Sequence, residues 1–398
     1  MTLINELYEK LNSRYDKMLE IRRHIHEHPE ISFHEHDTAK YIADFYMDKI
    51  TSGVKMRAGV GGLGIIVTID SENPGRTIAL RADFDALPMQ EDTGLPFASK
   101  VPNVMHSCGH DAHTAYLMIL ASCLIDMRKK LIGKILIIHQ PAEEAPPGGA
   151  GLMIKDGALD GVDNIFACHV MSEMEYGKIF YHSGPTQQAR AKFIIKIQGV
   201  GGHGSSPHEA NDAIICASYM VTALQTIISR RKNPFDAGVV TIGSFGGEGT
   251  FNIIKDSVIL EGDARCMSVD VQRLIQDNII RIANGIGEAF DCDVDVQYMN
   301  DYPVLINDPK MTDLVKQSVA DAPIDELTGI EDCGQMPPSE DFAFYTQIIP
   351  SCFFYIGAKP RHKKSYPHHH PKFDIEESSM MISAEAMGAV VLRYMGLF

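Results

Sequence analysis

Two rhythms divide the chain. Over about 3–50 the apolar positions recur with helical spacing, broken at Pro29. Beyond them, Gly-rich turns alternate with short continuous apolar runs at 64–69, 77–82, 135–139 and 165–170, and a long helical stretch, 112–130, lies between the second and third runs. Apolar strands alternating with helices predict a mostly parallel sheet covered on both faces. The character changes near 183–188. From there the sequence predicts a strand (191–198), a helix (210–230), two strands (239–244 and 253–265), a helix (269–290) and a strand (293–299). That β-α-β-β-α-β order is the ferredoxin-like unit. After 301–303 helix and strand alternate again up to Phe398. The simplest architecture is α/β: a main domain, 1–184 and 302–398, with a mostly parallel mixed sheet between helices, and an inserted α+β ferredoxin-like domain, 185–301. A length of 398 residues, too long for one ordinary core, agrees with two domains.

Composition narrows the partners. Apolar residues make up 45% and charged residues 22%, as in water-soluble globular chains. A formal net charge of −16 disfavours a nucleic-acid backbone or an anionic membrane surface. No apolar run is expected to approach the roughly 18 residues that span a bilayer, and the N-terminal stretch lacks a signal-peptide core. Eight scattered cysteines, several in apolar runs (Cys123, Cys216, Cys352), read as buried thiols of a reducing compartment. A cytoplasmic address is therefore expected.

Many of the 17 histidines fall beside Cys, Asp or Glu. The densest group is MHSCGHDAH (105–113), with Cys108, His110, Asp111 and His113 at the start of the long helix. A Cys-x-His pair on a turn can aim thiolate and imidazole at one first-row metal ion; the plainer reading is a helix cap with solvated histidines. Glu143 and Glu144 follow a strand in a Pro- and Gly-rich loop. Adjacent carboxylates can divide labour, one holding metal and the other taking a proton, and ligands in open α/β sheets gather outside the carboxyl ends of strands. His169 ends another strand, with Cys168 expected on the opposite face. The segment YPHHHPKFD near the C-terminus supplies a distant histidine. Each signal has an ordinary structural alternative; their coincidence at one sheet edge favours a metal site.

These motifs, with RRHIHEHPEISFHEHDT (22–38), RADFDALPMQE (81–91), GGHGSSPHEANDAI (201–214), FNIIKDSVILEGDAR (251–265) and HHPKFD (369–374), cover nearly the whole chain. In them the chain resembles the aminoacylase/carboxypeptidase family of di-metal peptidases, in the branch with hippurate hydrolases and indole-acetyl-amino-acid hydrolases. The resemblance implies a catalytic main domain and an inserted lid and dimerisation domain, with metal ligands at Cys108, His110, Glu144, His169 and His369. His369 is chosen because the ligand is expected two residues before a proline, here Pro371. It implies Glu143 as general base, His203 as a residue reaching the partner subunit's site, and Asn252 and Arg265 as contacts for the substrate carboxylate. Two divalent ions are implied, manganese or zinc foremost, cobalt or nickel otherwise. The implied reaction is hydrolysis of N-acyl amino acids by a homodimer, and a dipeptidase, carboxypeptidase or N-acetyl-diaminopimelate deacetylase would use the same machinery. The chain departs from the usual EGTxR pattern, reading EGDAR with Asp263 and Ala264. Asp83 and Asp85 lack the histidine that would make them ligands and are expected to support the ligands instead. Residues 171–176 and 342–345 are candidate pocket lining, and hinges would fall near 184–185 and 301–303. The rival readings are Cys108 as a nucleophile, a non-catalytic metal-binding dimer, and metal storage.

Overall fold

The computed structural model of the chain describes residues 2–398. The longer strands are β1 (Val54–Val60), β2 (Gly64–Asp70), β3 (Thr77–Asp83), β4 (Lys134–Gln140), β5 (Asn164–Met171) and β6 (Lys178–Tyr181), then β7 (Ala189–Gln198), β8 (Gly238–Gly246), β9 (Ser257–Cys266) and β10 (Asp293–Tyr302), and last β11 (Gly329–Asp332) and β12 (Ser351–Gly357). The chain divides into two compact units. One runs up to Gly184 and includes Ile306–Gln335 and Asp341–Phe398; the other comprises Pro185–Leu305 with Met336–Glu340.

In the first unit eight strands form a mixed sheet in the order β1-β2-β4-β3-β5-β12-β6-β11. Its centre, β4-β3-β5-β12, is parallel throughout. β3, β4 and β5 are three of the apolar runs read from the sequence, continuous because helices cover both faces; the fourth, β2, pairs antiparallel with β4, and β12 was not among them. β5, for instance, is buried from Asn164 to Val170. The helix His110–Met127 lies deepest. Its apolar residues are not confined to a stripe, and Leu117, Met118, Ile119, Leu120 and Leu124 are all buried. Each such side chain contributes about 1.5–3 kcal/mol through removal from water. The helices Tyr15–Glu27 and Ser379–Tyr394 pack against it.

The second unit is a four-stranded antiparallel sheet, β8-β9-β7-β10. Strands taken along the chain thus lie fourth-first-third-second, the ferredoxin-like order. Alternate residues of β7 (Phe193, Ile195, Ile197) point inward, where the helices Ala213–Leu224 and Val269–Ala289 contribute Cys216, Met220, Ile275 and Ile279. The other face carries charged residues such as Lys192, Lys196 and Glu261 beside exposed Val239, Ile259 and Met299.

Three expectations need correcting. The strand read at 253–265 is broken: Ile253–Ile254 pairs with Gly202–His203, and β9 starts afresh at Ser257. Gly199 N–H binds the Asp256 carbonyl at 2.7 Å, which turns the chain there. The return to the first unit falls between Leu305 and Ile306, not at 301/302, because β10 itself runs on to Tyr302. Residues 336–340 also belong to the second unit, tied in by Met336 N–H to the Thr186 carbonyl (2.7 Å) and Gln188 N–H to the Pro338 carbonyl (3.0 Å). Finally, one helical stretch does reach the length and composition of a membrane span: Ala213–Arg231, 19 residues of mean hydropathy 1.3. It escapes a scan for unbroken apolar runs because Ser, Thr and Gln interrupt it. One of its faces packs on the sheet of the second unit, as in a core helix.

Candidate active site

Strands β3, β4 and β5 run parallel, so their C-terminal ends share one edge of the sheet. The helix His110–Met127 begins there too. Gly109 makes that start possible: its φ is +94°, and a Cβ would lie 2.5 Å from Val170 Cγ2. Only glycine suits both demands. Cys108 and His110 are thereby delivered to the end of β5, beside His169.

The chemistry-bearing atoms converge. Cys108 Sγ lies 3.5 Å from His169 Nε2, and His369 Nε2 lies 3.1 Å from Glu144 Oε1. His110 Nε2 is 3.9 Å from the same Glu144 oxygen. Ligand atoms of Cys108, His110 and His169 fall within 4.8 Å of one another, as do those of Cys108, Glu144 and His369, and those of His110, Glu143 and Glu144. Cys108 is common to the first two groups. Four ligands at 2.0–2.3 Å around one ion stand about 3.3–3.8 Å apart, close to these separations. Glu143 is 6% exposed, with Oε1 facing the Asp341 N–H at 3.4 Å.

The rings are held so that the right nitrogen faces inward. His110 Nδ1 donates to the Asp85 carbonyl (3.0 Å) and carboxylate (3.1 Å), leaving Nε2 toward the site. His169 Nδ1 donates to the Val170 carbonyl at 2.7 Å. His113 is spoken for at both ends: Nδ1 binds Asp83 at 2.7 Å, and Nε2 accepts the Val170 N–H at 2.9 Å. Asp85 also receives the Glu144 N–H at 3.0 Å, so one carboxylate orients two of the convergent residues. Among the C-terminal histidines, His368 Nε2 accepts the Ser172 N–H and His370 Nδ1 accepts the Lys372 N–H. His369 alone of the three turns its Nε2 to Glu144. It does so from φ +59°, held by its N–H to the Ser107 carbonyl.

Divalent cations fit this donor set on two counts. His110 Nε2 is buried with no hydrogen-bond partner, a cost that a ligated ion removes. The site is also short of positive charge. Burial alone would lower the His110 pKa, yet Asp83, Asp85 and Glu144 push it up to about 10. Conversely, burial and then Glu144 and Glu143 hold the Cys108 thiol far above its ordinary range. A nucleophilic cysteine needs the opposite shift, so that reading loses its support.

Behind the site lies a buried ionic network that sequence reasoning left without a role. Arg22, fully buried on the helix Tyr15–Glu27, reaches Asp111 (2.9 Å), Glu377 (2.9 Å) and Asp374 (3.4 Å). His26 adds a bond to Asp111 at 2.8 Å. The RRHIH motif thus ties the start of the His110–Met127 helix to the segment that follows His369. Local spacing carries no sign of it, since the partners lie 85 to 355 residues apart. Asp111, offered as a helix cap, is spent here instead.

The remaining candidates lie in the second unit. His203 and Asn252 are neighbours on the two-stranded ribbon, where the Gly204 N–H binds the Asn252 carbonyl at 2.9 Å and His203 pairs with Ile253. His203 Nδ1 contacts Ser205 Oγ at 2.7 Å. Arg265 stands elsewhere, near the far end of β9 opposite Arg190, with Nε donating to Asp263 at 2.8 Å. Ser257, at the ribbon end of β9, is eight residues from Arg265, or about 26 Å along an extended strand. The structure therefore does not bring Arg265 together with His203 and Asn252 within one second unit.

A parallel-sheet edge bearing paired carboxylates among thiol and imidazole donors is the site of a metal-dependent hydrolase. The chain belongs to peptidase family M20/M25/M40, whose model matches residues 79–393. It is similar to YhaA of Bacillus subtilis (strain 168), an amidohydrolase by name, at 40% identity over 99% of this chain and 98% of that one. It is 36% identical to the N-acetyl-L-cysteine deacetylase of the same organism, over 93% of this chain and 86% of that one. Among solved structures it resembles Bacillus subtilis YXEP, a dinuclear metal-binding peptidase of the M20 family, with TM-score 0.82 and 28% identity over 97% of this chain and 100% of that one.

Proposed function

We propose that the enzyme hydrolyses the amide bond of N-acyl amino acids, using two divalent ions and Glu143 as general base. The observation that carries this reading is the convergence of Cys108, His110, Glu144, His169 and His369 around the buried Glu143. The similarity to a deacetylase of N-acetyl-L-cysteine supports the substrate class. Ions held by those five residues would polarise the amide carbonyl and ease ionisation of water. The protein's own part is proton handling and orientation. Glu143 takes a proton from the attacking water and returns it to the departing amine, work worth about 10²–10⁴-fold. Arg265, steadied by Asp263, offers its remaining N–H edges to the substrate carboxylate. His203 and Asn252 complete the site of the partner subunit, which is why their separation from Arg265 on one sheet is no obstacle.

That arrangement requires a homodimer through the second unit. Supporting it, β8 is an edge strand, and the adjoining helix Ala213–Leu224 leaves Ile215 and Tyr219 45% and 60% exposed. An apolar helix face beside an unpaired strand edge suits a second copy of the same surface. Manganese or zinc is the metal of this reading, with cobalt or nickel as substitutes. The address is cytoplasmic, in keeping with eight free cysteines. The test is turnover of metal-stripped protein, reloaded with each of the four ions, over a panel of N-acetyl and N-aroyl amino acids, N-acetyl-diaminopimelate and dipeptides. Hydrolysis of N-acyl amino acids ahead of dipeptides is expected. Dipeptides cleaved best, or full metal loading with no turnover on any compound, would overturn the reading.

A further inference from the structure

Glu35 is an expensive residue in an unusual place. It lies at the start of the helix His36–Met47, fully buried, yet its side chain does not cap that helix. Its Oε1 instead accepts the Ala142 N–H at 2.8 Å, across 107 residues of sequence. Its Oε2 is buried without a hydrogen-bond partner. Burial, and next the Asp85 charge, push its pKa up to about 7. Leaving a carboxyl in such surroundings is costly unless something depends on it.

What depends on it is the backbone just before the two glutamates. Ala142 sits at φ +54°, a left-handed conformation that residues with a Cβ avoid. It is gripped on both sides, its N–H by Glu35 and its carbonyl by the Gly149 N–H at 2.9 Å. The next peptide carries Glu143, and the one after it places Glu144 N–H on Asp85. A relaxed Ala142 would rotate both carboxylates out of register with the imidazoles.

We propose that Glu35 is a positioning residue for Glu143, acting through the Ala142 N–H to lock the left-handed turn that aims the base. The inference rests on the function proposed above for its kinetic readout, but not for its structural one. The experiment uses the metal-loaded enzyme with Glu35→Ala and Glu35→Gln. Glu35→Ala should lower kcat at least tenfold, leave KM within about threefold, and keep two ions per chain by elemental analysis. Amide exchange at 142–144 should quicken at least tenfold while β4 stays protected. Glu35→Gln retains an acceptor and should restore both kcat and protection to within about threefold. Should Glu35→Ala fail to fold, Glu35→Met, of similar length and lacking the acceptor, takes its place with the same expected results. Unchanged exchange at 142–144, or equal losses with Gln and Ala, would overturn the proposal. A wild-type enzyme inert toward every N-acyl amino acid would sink the function while the exchange result still decided the role of Glu35.

Discussion

At the scale of single residues, three side chains are worth changing. Glu143→Gln removes the proposed base and keeps the shape, so metal content should persist while kcat drops about 10³-fold; a variant turning over at the wild-type rate would exclude Glu143 from proton transfer. Asp85 touches no substrate by this account but orients both His110 and Glu144. Asp85→Ala should therefore weaken metal binding about 10–100-fold in chelator competition. His26 offers a pH test. Burial would lower its pKa, but hydrogen bonds to Asp111 and Glu91 outweigh that and raise it to about 8. A folded-state value above the ordinary 6.5 means that the stabilisation is fully present below pH 6.5 and is lost as pH climbs through 8. A shift of that size is worth about 2 kcal/mol. The melting temperature should therefore fall between pH 6.5 and 8.5, and a His26→Gln variant should lose that slope. The donor residues that converge at the sheet edge were readable in the sequence by their type and spacing. The bonds that orient them were not, because Arg22, His26 and Glu35 meet partners that only the folded chain brings near.

At the scale of elements, β3, β4 and β5 were legible because burial on both faces makes them nearly continuous apolar runs, whereas β1, largely exposed, went unread. Boundaries were less legible. The break at 255–256 carries Lys and Asp rather than Gly or Pro, and a backbone bond to Gly199, invisible in the local sequence, makes the turn. Gly109 shows how much an element's position depends on one residue. Gly109→Ala would add a Cβ against Val170 and strain a φ of +94°, together costing about 2–4 kcal/mol. Thermal denaturation should show the loss, and metal affinity should fall with it, since Cys108 and His110 flank the distortion. A fully stable, fully loaded Gly109→Ala protein would mean that the helix start has more freedom than its packing suggests.

At the scale of the whole molecule, the two-unit organisation followed from the change in strand pattern near 183–188, while the return of 336–340 to the second unit did not, for it is short and has no periodicity of its own. The assembly can be probed by complementation. Glu143→Gln and His203→Ala chains, each inactive alone, should regain up to about a quarter of wild-type activity when mixed, because one site in a mixed dimer has both groups intact. No recovery after demonstrated subunit exchange would remove His203 from the partner's site.

The gap along β9 between Arg265 and the His203–Asn252 ribbon has a kinetic corollary. With the partner contribution proposed for His203, Arg265 and His203 would serve one site from different chains, and specific activity would fall on dilution below the dimer's dissociation constant. Specific activity measured from stocks equilibrated at nanomolar concentration should rise as protein is added, and an inert cross-link between the subunits should abolish that dependence.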